Sequence, residues 1–228
     1  MNGMPKALII YGPPGSGKGT EADLVARSLG YIHFDTGKYL RALLEGPEAE
    51  RSAVLRREKK LNREGRLNTP LWVLSLAEKA ATAIAKGGYG IVFSGSPRTM
   101  EEAFGGRKRK GLLERLSALY GKKNVVIIHL AVKDATSFKR NRARYSCAVC
   151  GIPRLASAKG SACGFCAGPF ARRKDDDAKI IAVRLKEYHE RTAPILKEAR
   201  KRGYSVKRID GEKKPFEVFK SLRRAATL

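Results

Sequence analysis

The stretch Ala7-Leu8-Ile9-Ile10-Tyr11-Gly12-Pro13-Pro14-Gly15-Ser16-Gly17-Lys18-Gly19-Thr20 decides the fold. Five apolar residues in a row, ended by glycine, read as a short parallel strand buried on both faces. Residues 20–29 then take up helical spacing, with Ala22, Leu24, Val25 and Leu29 on one side. A glycine-rich turn with a lysine, set between a strand and a helix, is the context a P-loop requires. The glycines let successive backbone N–H groups turn toward one phosphate, and the helix N-terminus adds its partial positive charge. Gly15, Ser16, Gly17, Lys18, Gly19 and Thr20 are therefore expected to cradle a nucleoside triphosphate, with Lys18 reaching its β and γ phosphates. In the general pattern Ser or Thr directly follows the lysine; here Gly19 intervenes and Thr20 comes one residue later.

Outward from this loop, residues 31–34, 91–93, 125–130 and, more weakly, 205–209 read as further short strands, and helical patterns over 70–86 and 112–120 lie between them. Strands alternating with helices predict an α/β fold, a parallel five-stranded sheet flanked by helices. The clearest helix spans 175–202, with Ile181, Leu185, Tyr188, Thr192, Ile195 and Ala199 on one face and Gly203 to cap its end. Pro194 inside it predicts a kink nearby. Two stretches break the alternation. Residues 35–69 are charged and helical; residues 145–173 are rich in Gly, Ala, Pro and Cys. Both read as insertions, leaving a core of 1–34, 70–144 and 174–228.

The composition sets the remaining bounds. With 228 residues, 43% hydrophobic and 30% charged, the chain has the material for one large domain with a real core, which excludes a disordered polypeptide. No apolar run approaches the roughly 18–20 residues of a membrane span, and the five-residue run near the N-terminus is too short for a signal peptide, so no membrane contact and a cytoplasmic location are expected. Lys and Arg number 47 against 22 Asp and Glu, a net charge of +25 that attracts anions. The cluster Gly105-Gly106-Arg107-Lys108-Arg109-Lys110-Gly111 reads as an exposed basic loop, with nonspecific RNA contact as the second reading.

All four cysteines fall within residues 147–166, as Cys147-x2-Cys150 and Cys163-x2-Cys166. Four thiolates so spaced suit tetrahedral Zn²⁺ in a closed, structural site, and Gly151 and Gly164 are placed to supply the tight turns. His33, His129 and His189 show no ligand or triad spacing and read as structural; no Ser-His-Asp signature stands out.

The chain resembles adenylate kinase and its nucleoside-monophosphate kinase relatives. Gly12–Thr20 is similar to the family's GxPGxGKGT loop, and Asp35-Thr36-Gly37-Lys38-Tyr39-Leu40-Arg41 to STGDxLR. Ser94-Gly95-Ser96-Pro97-Arg98-Thr99 is similar to DGFPRT, and the run from Arg140 to Arg144 to DRxxxR. Arg173-Lys174-Asp175-Asp176 resembles RxDD, Arg184-Leu185 with Tyr188 to Pro194 resembles RLxxYxxxTxP, and Ile209-Asp210-Gly211 the late DG turn. The four cysteines resemble the zinc-bearing lid of some adenylate kinases.

The resemblance implies a P-loop core with a nucleotide-monophosphate-binding insertion at 35–69 and a small zinc-binding lid at 145–173. It implies reversible transfer of the γ-phosphoryl group of ATP, bound with Mg²⁺, to a nucleoside monophosphate, AMP above all, by a monomer. Thr36, Arg41 and Arg98 would hold the acceptor. Arg144, Arg173 and Arg184 would converge with Lys18 on the transferring phosphates, and Arg140 would pack on the donor base. Such cations are what a charge-spread phosphoryl transition state needs. Three positions depart from the pattern. Lys38 and Ser94 stand where the family has aspartates, which leaves Asp35 as a neighbouring carboxylate for Mg²⁺. Glu102 stands where the family's adenine-reading glutamine falls. An ionised glutamate only accepts hydrogen bonds, so GMP or a pyrimidine monophosphate stays open as acceptor, or Glu102 is a surface residue at a helix start. An RNA-associated ATP-binding protein with weak kinase activity is the reading from another class.

Overall fold

A computed structural model describes residues 6–107, 109–154, 160–172 and 176–227. In chain order the elements are β1 (Ala7–Tyr11), α1 (Lys18–Leu29), β2 (Ile32–Asp35), α2 (Thr36–Glu45), α3 (Ala53–Arg63), α4 (Pro70–Lys86), β3 (Ile91–Ser94) and α5 (Met100–Phe104). Then come β4 (Gly105–Gly106), β5 (Arg109–Lys110), α6 (Leu112–Tyr120), β6 (Val125–Ala131), α7 (Asp134–Arg142), β7 (Ser146–Cys147) and β8 (Phe170–Ala171). The chain finishes with α8 (Ala178–Glu187), α9 (Ala193–Lys201), β9 (Ser205–Asp210) and α10 (Pro215–Thr227).

The main sheet has the order β2-β3-β1-β6-β9, with every neighbouring pair parallel. β1 is central, and both of its faces are covered, which is why it is apolar throughout except for the hydroxyl of Tyr11 at its end. Ala7, Ile9 and Tyr11 face a core shared with Leu74, Ala77, Phe104, Leu112, Leu116, Ile195 and Leu196 of α4, α5, α6 and α9. Leu8 and Ile10 face the opposite core, with Val25 of α1 and Val218 and Leu222 of α10. The sheet therefore presents the carboxyl end of a rigid, fully buried strand to the P-loop, the place where open α/β sheets bind ligands.

The stretch between β2 and α4 holds α2 and α3, packed through Leu40, Leu44 and Val73 as a small core of its own. Its base is fastened by Glu58, whose side chain is fully buried. The Glu58 carboxylate accepts from Thr69 N (2.9 Å), Thr69 Oγ1 (2.5 Å), Asn68 Nδ2 (3.0 Å) and Arg57 Nη2 (3.0 Å).

Two local expectations change. The helix expected over 175–202 is α8 and α9 joined by a π-helical stretch, Tyr188–Thr192, ending two residues before Pro194. Tyr188 and Thr192, the ends of this stretch, are buried, as the apolar face predicts. The basic loop at 105–111 is a hairpin, β4 against β5. Gly105, at φ 70°, admits no side chain because a Cβ there would sit 2.0 Å from Arg109 O. Arg109 is held by Glu78 at 2.5 Å, and Lys108 lies outside the described residues.

Candidate active site

The P-loop takes the shape its glycines allow. Gly15 and Gly17 have φ of 76° and 91°, and Gly17 caps the start of α1. A Cβ on Gly15 would sit 2.5 Å from Asn141 Nδ2, so α7 packs against the bare backbone of the loop. Ser137 of α7 donates to Pro14 O, which fastens the loop from the same side. Lys18 Nζ donates to Gly12 O (2.7 Å) and Pro13 O (2.8 Å), curling over the cradle. Burial, then the charges of Arg98, Arg184 and Arg144, hold its pKa well below the usual lysine range. Three of the expected arginines thus lie within electrostatic reach of the P-loop lysine.

Arg144 makes a two-pronged ion pair with Asp176, Nε at 2.9 Å and Nη2 at 2.5 Å, and Arg184 Nη1 stands 4.0 Å from the same carboxylate. Asp176 is almost wholly buried, so it aligns two arginine forks as a fixed unit. The next residue, Asp177, caps α8 by accepting from Lys179 N at 2.9 Å. Arg173 and Asp175 lie outside the described residues. Arg140 donates to Gly211 O (2.7 Å) and Glu212 O (3.3 Å), tying α7 to the turn after β9.

Beside the P-loop a pocket is walled by Thr36, Leu40 and Arg41 of α2, by Asn62, Gly65, Arg66 and Asn68, by Val73 of α4, by Ser96, Arg98 and Glu102, and by Arg184, Tyr188 and Thr192. Lys18 and Tyr11 reach it from the sheet end. Of the expected acceptor residues, Thr36, Arg41, Arg98, Glu102 and Arg184 are brought to this one pocket, and Arg173 lies outside the described residues. The surface reading of Glu102 does not hold: it is 2% exposed, whereas Glu101 is exposed. The reason is a capping box. Thr99 Oγ1 accepts from Glu102 N at 3.1 Å, and the Glu102 side chain folds back to accept from Arg98 N at 3.1 Å. Burial pushes its pKa up to about 7 against the pull of these donors.

His33 has partners that its sequence spacing does not reveal. Its Nδ1 meets Asp23 Oδ1 at 2.6 Å and its Nε2 meets Ser94 Oγ at 2.7 Å, a Ser-His-Asp chain from α1 through β2 to β3. Nothing in the spacing of residues 23, 33 and 94 marks it. Ser94 pairs in register with Asp35, whose Oδ1 caps α2 through Lys38 N. The other Asp35 oxygen faces Gly19, 3.5 Å from where a Cβ would stand. Asp35 is therefore a carboxylate at the mouth of the P-loop that fits a hydrated Mg²⁺ carried in by a nucleotide; such an ion keeps several waters and needs few protein ligands.

Around the β7–β8 hairpin, the four cysteine sulfurs all lie within 4.8 Å of one another, with Cys147–Cys166 at 3.4 Å and Cys150–Cys163 at 3.6 Å. Zn–S bonds of about 2.3 Å place tetrahedral sulfurs about 3.8 Å apart, so the set fits one metal ion. Two repeated turns build it. Gly151 N donates to Cys147 O at 3.0 Å, and Ala167 N donates to Cys163 O at 2.8 Å. The positive φ of the second turn falls on Ala167 (55°), not on Gly164 as expected. Amide donors from Cys150 and Val149 lower the Cys147 thiol, while the neighbouring sulfurs push the Cys150 thiol up, so without a cation the four sulfurs do not all ionise together.

Among the described residues no helix is long and apolar enough to cross a membrane. Residues 10–204 match the family model described as Adenylate kinase. An adenylate kinase of Paramagnetospirillum magneticum is 34% identical over 226 residues, covering 94% of this chain and 95% of the relative. One from Magnetococcus marinus is 33% identical over 222 residues, covering 94% and 97%. One from Zymomonas mobilis is 34% identical over 211 residues, covering 90% and 88%. The match runs from the P-loop past the four cysteines, and the chain belongs to the adenylate kinase family of phosphotransferases.

Proposed function

We propose that this phosphotransferase moves the γ-phosphoryl group of ATP reversibly to AMP, and that the pocket beside the P-loop takes the acceptor. The observation that carries the reading is the convergence of Lys18, Arg98, Arg144 and Arg184 at the seam between the P-loop and the pocket walled by Thr36, Arg41 and Glu102. Phosphoryl transfer asks the protein mainly to position two charged substrates and to offset charge at the transferring group. Gly15, Ser16, Gly17, Gly19 and Thr20 present the cradle, and Lys18 leaves the loop carbonyls for the triphosphate. Arg41 and Arg98 grip the acceptor phosphate, Thr36 and Glu102 contact its nucleoside, and Arg144 and Arg184, with Arg173, neutralise the group in transit. Mg²⁺ bound with ATP supplies further charge on the phosphates, with Asp35 beside its waters.

The chain divides into a core (1–34, 70–144 and 174–228), an acceptor-binding insertion (35–69) and a lid (145–173) that holds one structural Zn²⁺ on Cys147, Cys150, Cys163 and Cys166. Closure of the insertion and lid excludes water, which otherwise takes the phosphoryl group. Turnover of ATP with AMP in Lys18→Ala tests the reading. Loss of one preorganised cation lowers kcat by roughly 10²–10³, and near-normal kcat in the variant overturns the assignment.

A further inference from the structure

Glu102 poses a chemical problem for adenine. The edge of that base offers a donor at N6 and an acceptor at N1. Glu102 already accepts from Arg98 N at 3.1 Å, and its other oxygen lies 3.3 Å from Thr99 Oγ1. Above its folded pKa of about 7, as at the pH 8 of the test below, it is a carboxylate with lone pairs left over and no proton to give. A donor for N1 has to come from another side chain.

Tyr11 is that side chain. It is the last residue of β1, immediately before the P-loop, and it lines the acceptor pocket together with Glu102. The residue is 3% exposed, and its hydroxyl is buried with no hydrogen-bond partner among the described residues. Buried hydroxyls are nearly always paired, so an orphan in a pocket wall points to a ligand atom. Thr36 Oγ1 and Ser96 Oγ are orphans in the same wall, so the pocket as a whole is built for a polar guest. Tyr11 is distinguished from them by its setting. Burial first, then the charge of Glu102 and the neighbouring Tyr188, keep its proton on well above the usual phenol range. It is a donor, and it stands in the field of the carboxylate that cannot donate.

We propose that Tyr11 and Glu102 divide the reading of the acceptor base, the Tyr11 hydroxyl donating to adenine N1 while the Glu102 carboxylate accepts from N6. This rests on the AMP reading given above and names the residue that makes it chemically complete. One glutamine amide can do both tasks; here an acid and a phenol share them.

The test uses the full-length protein at pH 8, as wild type and Tyr11→Phe, with AMP and with 1-deaza-AMP, which keeps the exocyclic amine and lacks the N1 acceptor. Binding is read by calorimetry, and KM and kcat by turnover with ATP. Wild type binds AMP more tightly than 1-deaza-AMP by about three- to tenfold, the scale of one hydrogen bond. Tyr11→Phe loses that preference, raises KM for AMP by a similar factor, and changes KM for ATP and kcat less than about twofold. Its melting temperature without nucleotide stays level or rises, because an unpartnered hydroxyl has been removed. Equal binding of the two nucleotides by wild type, or an undiminished preference in Tyr11→Phe, overturns the Tyr11 assignment while leaving the kinase reading in place. Turnover with GMP and none with AMP overturns both.

Discussion

Replacing Glu58 by glutamine probes how the acceptor pocket is held. The side chain is fully buried, and its two oxygens take five donors from Arg57, Asn68 and Thr69. Glutamine keeps the shape but offers one acceptor oxygen and turns an NH₂ toward groups that themselves donate. Whichever way the amide lies, at least one charge-assisted hydrogen bond is lost and a second is weakened. Each is worth about 1.5–3 kcal/mol, so the loss is about 3 kcal/mol. At 1.36 kcal/mol per decade, local opening of this segment becomes about two orders of magnitude more frequent. Amide exchange at Thr69, whose N–H donates to Glu58, reads this directly. Asn62, Gly65, Arg66 and Asn68 wall the pocket, so KM for AMP rises while KM for ATP holds. Burial pushes the Glu58 pKa up, and donors from Thr69, Asn68 and Arg57 more than offset this, so it lies below the usual carboxylate range in the folded protein. Its contribution is therefore present above the unfolded pKa of about 4.3 and is lost as pH falls through the lower folded value. Unchanged Thr69 protection and unchanged KM for AMP in Glu58→Gln refute the idea that this carboxylate fastens the insertion.

Purified protein carries one equivalent of Zn²⁺ by elemental analysis. Cys147→Ala or chelation lowers thermal stability and activity while ATP binding survives, because the lid has little core of its own; metal-free protein with full stability counts against the site. His33→Ala strands Ser94 Oγ, which is buried, and should cost about 1–3 kcal/mol. For a chain of this length that is roughly 2–4 °C of Tm per kcal/mol, and an unshifted melting curve shows the Asp23–His33–Ser94 chain to be idle.

The parts of this protein written in local pattern were legible in the sequence. β1 is apolar up to the Tyr11 hydroxyl because both its faces are covered, and Gly15 and Gly17 sit where the P-loop needs positive φ. The helix Leu112–Tyr120 begins and ends where its apolar spacing does. What was not legible joins distant segments. His33 binds Ser94 across 61 positions, and Asp176 holds Arg144 across 32. The orphan hydroxyl of Tyr11 is visible only once the wall around it is built, since as sequence it closes an apolar strand. Glu102 was ambiguous because an acid in a first helical turn is common; the fold-back onto Arg98 N is what takes it inside. Ala167 replaced the expected Gly164 because backbone hydrogen bonding of the second cysteine turn, not glycine content, fixes which residue takes the left-handed conformation.

The central claim is reversible phosphoryl transfer between two adenine nucleotides, and incubation with Mg²⁺ and ADP alone tests it most directly. A protein that brings a donor at the P-loop and an acceptor in the adjoining pocket to one arginine cluster converts ADP into equal amounts of ATP and AMP, followed by ³¹P NMR, and Lys18→Ala does so at least about 10² more slowly. Release of inorganic phosphate with no ATP formed, or no change in ADP under conditions where the protein is folded, contradicts the account.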